Sequence, residues 1–159
     1  MEYYKQIRAI VGHRPLMLVG AGVILYRGRQ ILLQKRADDG TYGKHGGIMD
    51  YEEVAEDACR REVLEEIGLT VGKLSLFGVY TGPEMTVSYP NGDIANYTDI
   101  VYVSDDFTGE PNLADGEADA LAWFDIDELP EQLHSTDQRP ILEFAKQVRT
   151  RYAEQTERS

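Results

Sequence analysis

A chain of 159 residues is long enough for one domain with a sizeable core and short for two. Lys and Arg number 16 against 28 Asp and Glu, a formal charge of −12 that repels nucleic-acid backbones and argues against duplex binding. The single cysteine, Cys59, excludes an internal disulfide, and the apolar run Leu16 to Leu25 is too short to span a bilayer.

The start, Met1 to Lys5, does not lead into a signal sequence, so a cytoplasmic protein is expected. A single domain is expected over 1–159, with residues 1–15 an N-terminal extension and 154–159 a polar tail that frays. Tyr3, Ile7 and Ile10 recur at helical spacing before His13-Arg14-Pro15 breaks the pattern; this segment would cap a sheet or meet a partner subunit, as in a homodimer. Leu16 to Tyr26 and Ile31 to Arg36, on either side of the turn Arg27-Gly28-Arg29-Gln30, read as two buried strands of a hairpin. The glycine-rich stretch 37–47 reads as a loop. Its glycines Gly46 and Gly47 would let backbone groups approach a phosphate or metal closely, against the plainer reading of a turn.

Asp50 to Glu53 place carboxylates where a helix would begin, and Gly68 sits where a left-handed residue would end it, so a helix is expected at about 52–67. On its wheel Ala55, Cys59, Val63 and Ile67 form an apolar arc. Glu62 and Glu66 fall within or beside that arc, and Glu65 stands three residues from Glu62. Acids placed against an apolar stripe need a positive partner, and hard oxygen donors favour Mg²⁺, Mn²⁺ or Ca²⁺; the bland alternative is a solvated helix with Arg61–Glu65 pairing. Cys59, on the arc, reads as a small buried residue and not a nucleophile.

Beyond Gly68, Lys73 to Tyr80 and the stretch around Met85 to Tyr89 alternate as strands, and Pro90-Asn91-Gly92-Asp93 is a hairpin turn. Asn96 to Val103 returns as a strand with Ile100 and Tyr102 on one side, Val101 and Val103 on the other. Residues 104–119 read as an acidic loop, Ala120 to Ile126 as a strand and Asp127 to Leu133 as a short helix. Pro140 opens an amphipathic closing helix.

The spacing from Gly47 through Glu53 to Arg61-Glu62-Val63-Leu64-Glu65-Glu66-Ile67-Gly68-Leu69 resembles the full signature segment of the Nudix hydrolases. At average residue usage, accident accounts for such a match on the order of once in 10⁸ start positions. The resemblance implies an α+β fold, an α/β/α sandwich with a mixed β-sheet between helices. It implies metal-dependent hydrolysis of the pyrophosphate bond in a nucleoside diphosphate linked to another group: a nucleotide sugar, an ADP-ribose type compound or a nucleoside triphosphate. The alternative is a catalytically silent nucleotide sensor of the same fold. Carried onto this chain, Glu62, Glu65 and Glu66 become metal carboxylates with the Gly46 carbonyl a further ligand, and Mg²⁺ or Mn²⁺ the cofactor. Glu53 and Arg61 become a stiffening salt bridge. The general base would be a glutamate of the segment, such as Glu65 or Glu66, or one on a later loop, for which Glu117 is the candidate. The substrate contacts expected outside the signature are Arg36, for phosphate or base against the plainer reading of an exposed strand-end charge, and Tyr42, for stacking on a base against merely packing the loop. Two positions depart from the family pattern: His45 stands where a proline commonly precedes the glycine pair, and Glu52 where a glycine commonly precedes Glu53. Lys44 or His45 would then offer a cation to the phosphates.

Overall fold

The computed structural model describes residues 2–113 and 116–159. Helix α1 (Tyr3–Val11) precedes β1 (Leu16–Arg27), β2 (Gln30–Arg36), β3 (Tyr42–Gly43) and β4 (His45–Ile48). Then come α2 (Ala55–Ile67), β5 (Thr70–Val71), β6 (Ser75–Tyr80), β7 (Thr86–Ser88), β8 (Ile94–Ser104), β9 (Phe107–Thr108), β10 (Ala118–Asp125) and α3 (Gln138–Glu157). The long strands lie in the order β10-β2-β1-β8-β6, while β3, β4 and β7 pair with β2, β1 and β8. Among the described strand pairs of this sheet β1 and β8 run parallel, with Gly20 opposite Asp99 and Val23 opposite Tyr102, and the others antiparallel, so the sheet is mixed.

Successive residues of a strand face opposite ways, and the core follows that alternation. Val23, Leu25, Leu32 and Tyr102 pack under α2 with Ala58, Cys59, Val63 and Ile67. Ile24, Ile31, Leu33 and Val101 pack under α3 with Ile141, Phe144, Ala145 and Val148. The two helices therefore cover opposite faces of one α+β sandwich. The first strand is buried only from Gly20 to Leu25, with Met17 and Val19 exposed before it.

Several expectations change on contact with tertiary structure. The acidic helix begins at Ala55, not near 52, because Glu52 adopts a left-handed backbone at φ 59° that helical propagation does not tolerate. Gly68 closes it as expected, left-handed at φ 72°, with its N–H bonded to the Leu64 carbonyl. The stretch 37–47 is not all loop: Tyr42 and Gly43 pair with β2, and His45 to Gly47 pair with β1. No helix forms over 127–133. There the backbone serves β3, with the Tyr42 N–H donating to the Gln132 carbonyl and the His134 N–H donating to the Tyr42 carbonyl. The acidic loop of 104–119 contains β9 and the start of β10, and its residues 114 and 115 lie outside the described part of the chain. The polar tail does not fray at 154, for α3 continues to Glu157. Among the described residues no helix is long and apolar enough to cross a membrane.

Candidate active site

Strands β1, β2, β4 and β8, the end of α2 and the start of α3 enclose a cleft of about 580 Å³. The helical register of α2 points Glu66 inward with Val63 and Ile67, and its carboxylate is buried at the cleft wall. Gln34 Nε2 donates to Glu66 Oε2 at 3.2 Å and the Gly46 N–H donates to the same oxygen at 3.4 Å. Burial pushes the Glu66 carboxyl well above the usual carboxylate range, the charge of Glu62 adds to the shift, and the two N–H donors offset part of it. Burial raises Glu62 as well, with Arg61 pulling the other way.

The glycine pair explains how Glu62 reaches this place. A Cβ on Gly47 would stand 2.5 to 2.7 Å from the Glu62 carboxylate, so that side chain lies against bare backbone. A Cβ on Gly46 would meet the Ala21 carbonyl at 2.5 Å, because β4 is pressed against β1.

On the solvent side of α2, Arg61 Nε and Nη2 grip Glu53 through both carboxylate oxygens at 2.6 and 3.0 Å. Its Nη1 donates to Glu62 at 2.8 Å and to Glu65 at 3.2 Å. The guanidinium holds Glu53 below its ordinary carboxylate range. Glu53 Oε2 also accepts the Asp50 N–H at 2.9 Å, which ties the left-handed turn at Glu52 to the helix. The Glu53–Arg61 bridge is thus formed, and Glu65 points outward, 57% exposed at its side chain.

The sequence-derived candidates divide accordingly. Arg36, Gly46, Glu66 and Glu117 border the cleft, and Glu62 lies behind Gly47. Arg36 is already engaged, its Nε and Nη2 donating to Asp38 at 3.0 and 2.7 Å. Tyr42 and His45 do not border the cleft. Tyr42 packs edge-on against Phe124, 5.1 Å between ring centroids, so the expected stacking on a base gives way to core packing. His45 is 0% exposed and cannot offer a cation to phosphates, since burial pushes its pKa down to about 4. Its Nε2–H donates to the Leu32 carbonyl at 3.0 Å, leaving Nδ1 without a hydrogen-bond partner 3.9 Å from Glu66 Oε2. Cys59 is buried and its thiol pushed up to about 12, as expected of a packing residue.

A second group at the cleft joins Lys44, expected from the sequence to offer a cation to phosphates, to Asp99 and Asp137, which the sequence did not single out. Lys44 Nζ lies 2.7 Å from Asp99 Oδ2 and 2.8 Å from Asp137 Oδ1, all three side chains nearly buried. Burial alone would lower the lysine, but the two carboxylates outweigh it and hold the ammonium above its ordinary value. A signal existed: Asp99 interrupts the apolar run of β8.

Among the described residues no three His, Cys, Asp or Glu side chains are already gathered around one point. Arg61 holds Glu62 and Glu65, and Glu66 stands apart on the cleft side. The donor chemistry nonetheless fits a divalent cation. Glu66 and Glu62 are hard oxygen donors whose mutual repulsion and burial disfavour their ionised forms, a penalty that a bound cation relieves.

With this geometry in view, comparison with known proteins is informative. The family model described as the NUDIX domain matches residues 17–144. An ADP-ribose pyrophosphatase of Methanocaldococcus jannaschii is 34% identical over 110 residues, 67% of this chain and 61% of the relative. A putative 8-oxo-dGTP diphosphatase of Bacillus subtilis is 32% identical over 123 residues, 77% of this chain and 75% of the relative. The crystal structure of a MutT NUDIX hydrolase from Burkholderia pseudomallei superposes with a TM-score of 0.68 at 34% identity, over 80% of this chain and 97% of that one. The matched segments thus span from about three-fifths to three-quarters of these two curated relatives.

Proposed function

Because the chain belongs to the Nudix family, whose model matches residues 17–144, we propose that it hydrolyses the pyrophosphate bond of a nucleoside diphosphate joined to a further group. The observation that carries this reading is the buried Glu66 carboxylate at the wall of a cleft of about 580 Å³, with Glu62 close enough to raise its proton affinity. Two carboxylates at such an address cost stability unless a cation or a proton joins them.

Glu62, Glu66 and the Gly46 carbonyl would hold Mg²⁺ or Mn²⁺, and Glu65 would join when Arg61 releases it. When bound, the metal supplies charge neutralisation for the phosphate oxygens and a more acidic bound water. The chain's own residues supply the rest. Gln34 and the Gly46 N–H orient Glu66. The Arg61 fork on Glu53 fixes the turn that carries β4 into α2. Glu117, at the cleft rim and near enough to raise both Glu62 and Glu66, is the candidate to accept a proton from the attacking water. Arg36, at the cleft border beside its bonds to Asp38, would meet a phosphate.

The test is a panel of nucleoside diphosphate derivatives with Mg²⁺ or Mn²⁺, including ADP-ribose and 8-oxo-dGTP, which the relatives' names suggest. Hydrolysis by the wild type with a loss on the order of 100-fold or more in Glu66→Gln is expected, since removing a metal carboxylate forfeits several kcal/mol of transition-state stabilisation. Equal activity of the two proteins would remove Glu66 from the mechanism. Binding across the panel without product release would favour the silent sensor.

A further inference from the structure

The buried ions at the floor of the cleft are an expensive feature that hydrolysis alone does not require. Lys44, Asp99 and Asp137 come from β4's approach, the middle of β8 and the residue before α3, so three distant segments converge on one point. Their side chains are 7%, 10% and 8% exposed. Burying such a trio costs desolvation that its Coulomb energy often only repays, and apolar residues of similar volume would serve stability as well.

Backbone has also been cut back to admit it. A Cβ on Gly22 would first meet the His45 carbonyl at 2.8 Å and would also stand 3.1 Å from both Lys44 Cε and Nζ, and one on Gly20 would stand 3.2 Å from Asp99 Oδ1. A Cβ on Gly43 would collide with Asp137 Oδ2. The Lys44 N–H donates to that Oδ2 at 3.1 Å, so Asp137 is fixed by both ends of one residue.

The hydrogen-bond inventory of the trio is incomplete in a directed way. An ammonium has three donors, and Lys44 spends two, on Asp99 Oδ2 and Asp137 Oδ1. Asp99 spends Oδ2 on Lys44, and its Oδ1 has no partner among the described residues. Lys44 and Asp99 both border the cleft, beside Met85 and the rings of Tyr89 and Tyr97, whose hydroxyls are 2.5 Å apart. A fixed donor next to a fixed acceptor, flanked by a thioether and aromatic rings, matches a flat ring whose edge offers an acceptor beside an N–H.

We propose that Lys44 and Asp99, held in place by Asp137, read the edge of a nucleobase: Lys44 donates to a ring acceptor and Asp99 Oδ1 accepts the adjacent N–H. The lactam edge of guanine and the amidine edge of adenine share this chemistry. The trio's net charge of one minus, from one ammonium and two carboxylates, repels phosphate, so the diphosphate lies toward Glu66 and the base toward Asp99. The inference rests on the cleft being a nucleotide site, as proposed above.

The experiment changes the ligand before it changes the protein. Calorimetric binding to the wild-type protein with Mg²⁺ compares GMP with 1-methyl-GMP, which lacks the N1–H, and AMP with purine riboside monophosphate, which lacks the N6–H. In one of the two pairs the member lacking the donor should bind at least about tenfold more weakly, the worth of one good base-edge contact. That pair identifies the edge that is read. Asp99→Asn should then bind both members of the pair within about twofold of each other, the discrimination gone, since its amide oxygen turns to the Lys44 ammonium and its NH2, a donor, meets the base where the wild type offers an acceptor. Equal binding within both pairs by the wild type overturns the proposal, as does discrimination that survives Asp99→Asn. The outcomes separate from those of the hydrolysis reading. Discrimination without turnover of any panel compound would sink hydrolysis and keep the base site, turnover without discrimination would do the reverse, and no nucleotide binding at all would sink both.

Discussion

At the scale of single residues, the two departures from the family pattern leave different marks. Glu52 carries a side chain through φ 59°, a conformation that costs a non-glycine residue about 1 kcal/mol or more. Glu52→Gly should therefore raise unfolding stability by up to about 1 kcal/mol after the added chain entropy of glycine is subtracted, read as a shift of the urea midpoint at unchanged slope. His45 is buried in its neutral form with a pKa of about 4 against 6.5 for the free residue. Its folded value is depressed, so the unfolded chain binds the proton more tightly. Its contribution is fully present above pH 6.5 and is lost as pH falls toward 4, a loss of about 3 kcal/mol across the whole interval. Followed by melting curves as the pH falls from 7.5 to 4, the wild type should lose about 3 kcal/mol of stability relative to His45→Leu, because only the wild type bears this acid penalty. Parallel curves would mean that the imidazole is not sealed away.

At the scale of the element, α2 works because its two faces do different tasks. Cys59, Val63 and Ile67 anchor it to the sheet, Glu66 goes in with them, and Glu53, Arg61, Glu62 and Glu65 form a braced acidic edge. The brace depends on a planar fork that meets both oxygens of Glu53. Lysine keeps the charge but not the fork. Arg61→Lys should cost about 1 kcal/mol of stability, discounted for its partial exposure, and should lower kcat more than it raises KM as the β4–α2 turn loosens. Denaturant unfolding and steady-state kinetics check the two halves of that statement.

At the scale of the whole molecule, a formal charge of −12 would repel the anionic ligand proposed for the cleft, a repulsion that the proposed divalent cation would offset. Glu66 makes the linkage explicit. Its folded pKa lies well above the ordinary carboxylate value, so the stability due to its neutral form is present below that ordinary value and is lost as pH rises through the folded one. A bound cation offsets the loss, because it takes the place of the proton. Adding Mg²⁺ should raise the melting temperature more at pH 8 than at pH 5, with about 2.7 kcal/mol of stabilisation at a hundredfold excess over the dissociation constant. An equal shift at both values would separate the metal from Glu66.

What the amino-acid sequence determined by itself was whatever depends on near neighbours along the chain. The spacing of Cys59, Val63, Glu66 and Ile67 on one arc, the left-handed stop at Gly68, the turn at Pro90 to Asp93 and the inward and outward alternation of Ile100 to Val103 follow from helical and strand periods alone. The helix start failed because Glu52 is left-handed, in a turn whose Glu53 carboxylate is held by Arg61 from within α2 and by the Asp50 N–H. The missing helix at 127–133 failed because β3 claimed its backbone partners. Tertiary structure alone decided that His45 is sealed in, that Tyr42 packs on Phe124, and that Lys44, Asp99 and Asp137 meet. Lys44 and Asp137 lie 93 residues apart; Lys44 meets Asp99 because β1 pairs parallel with β8 and antiparallel with β4, and the segment before α3 is brought to them by its backbone bonds to Tyr42. Periodicity is a property of a few consecutive residues, whereas sheet pairing and the burial of charge are settled between segments that no local pattern connects.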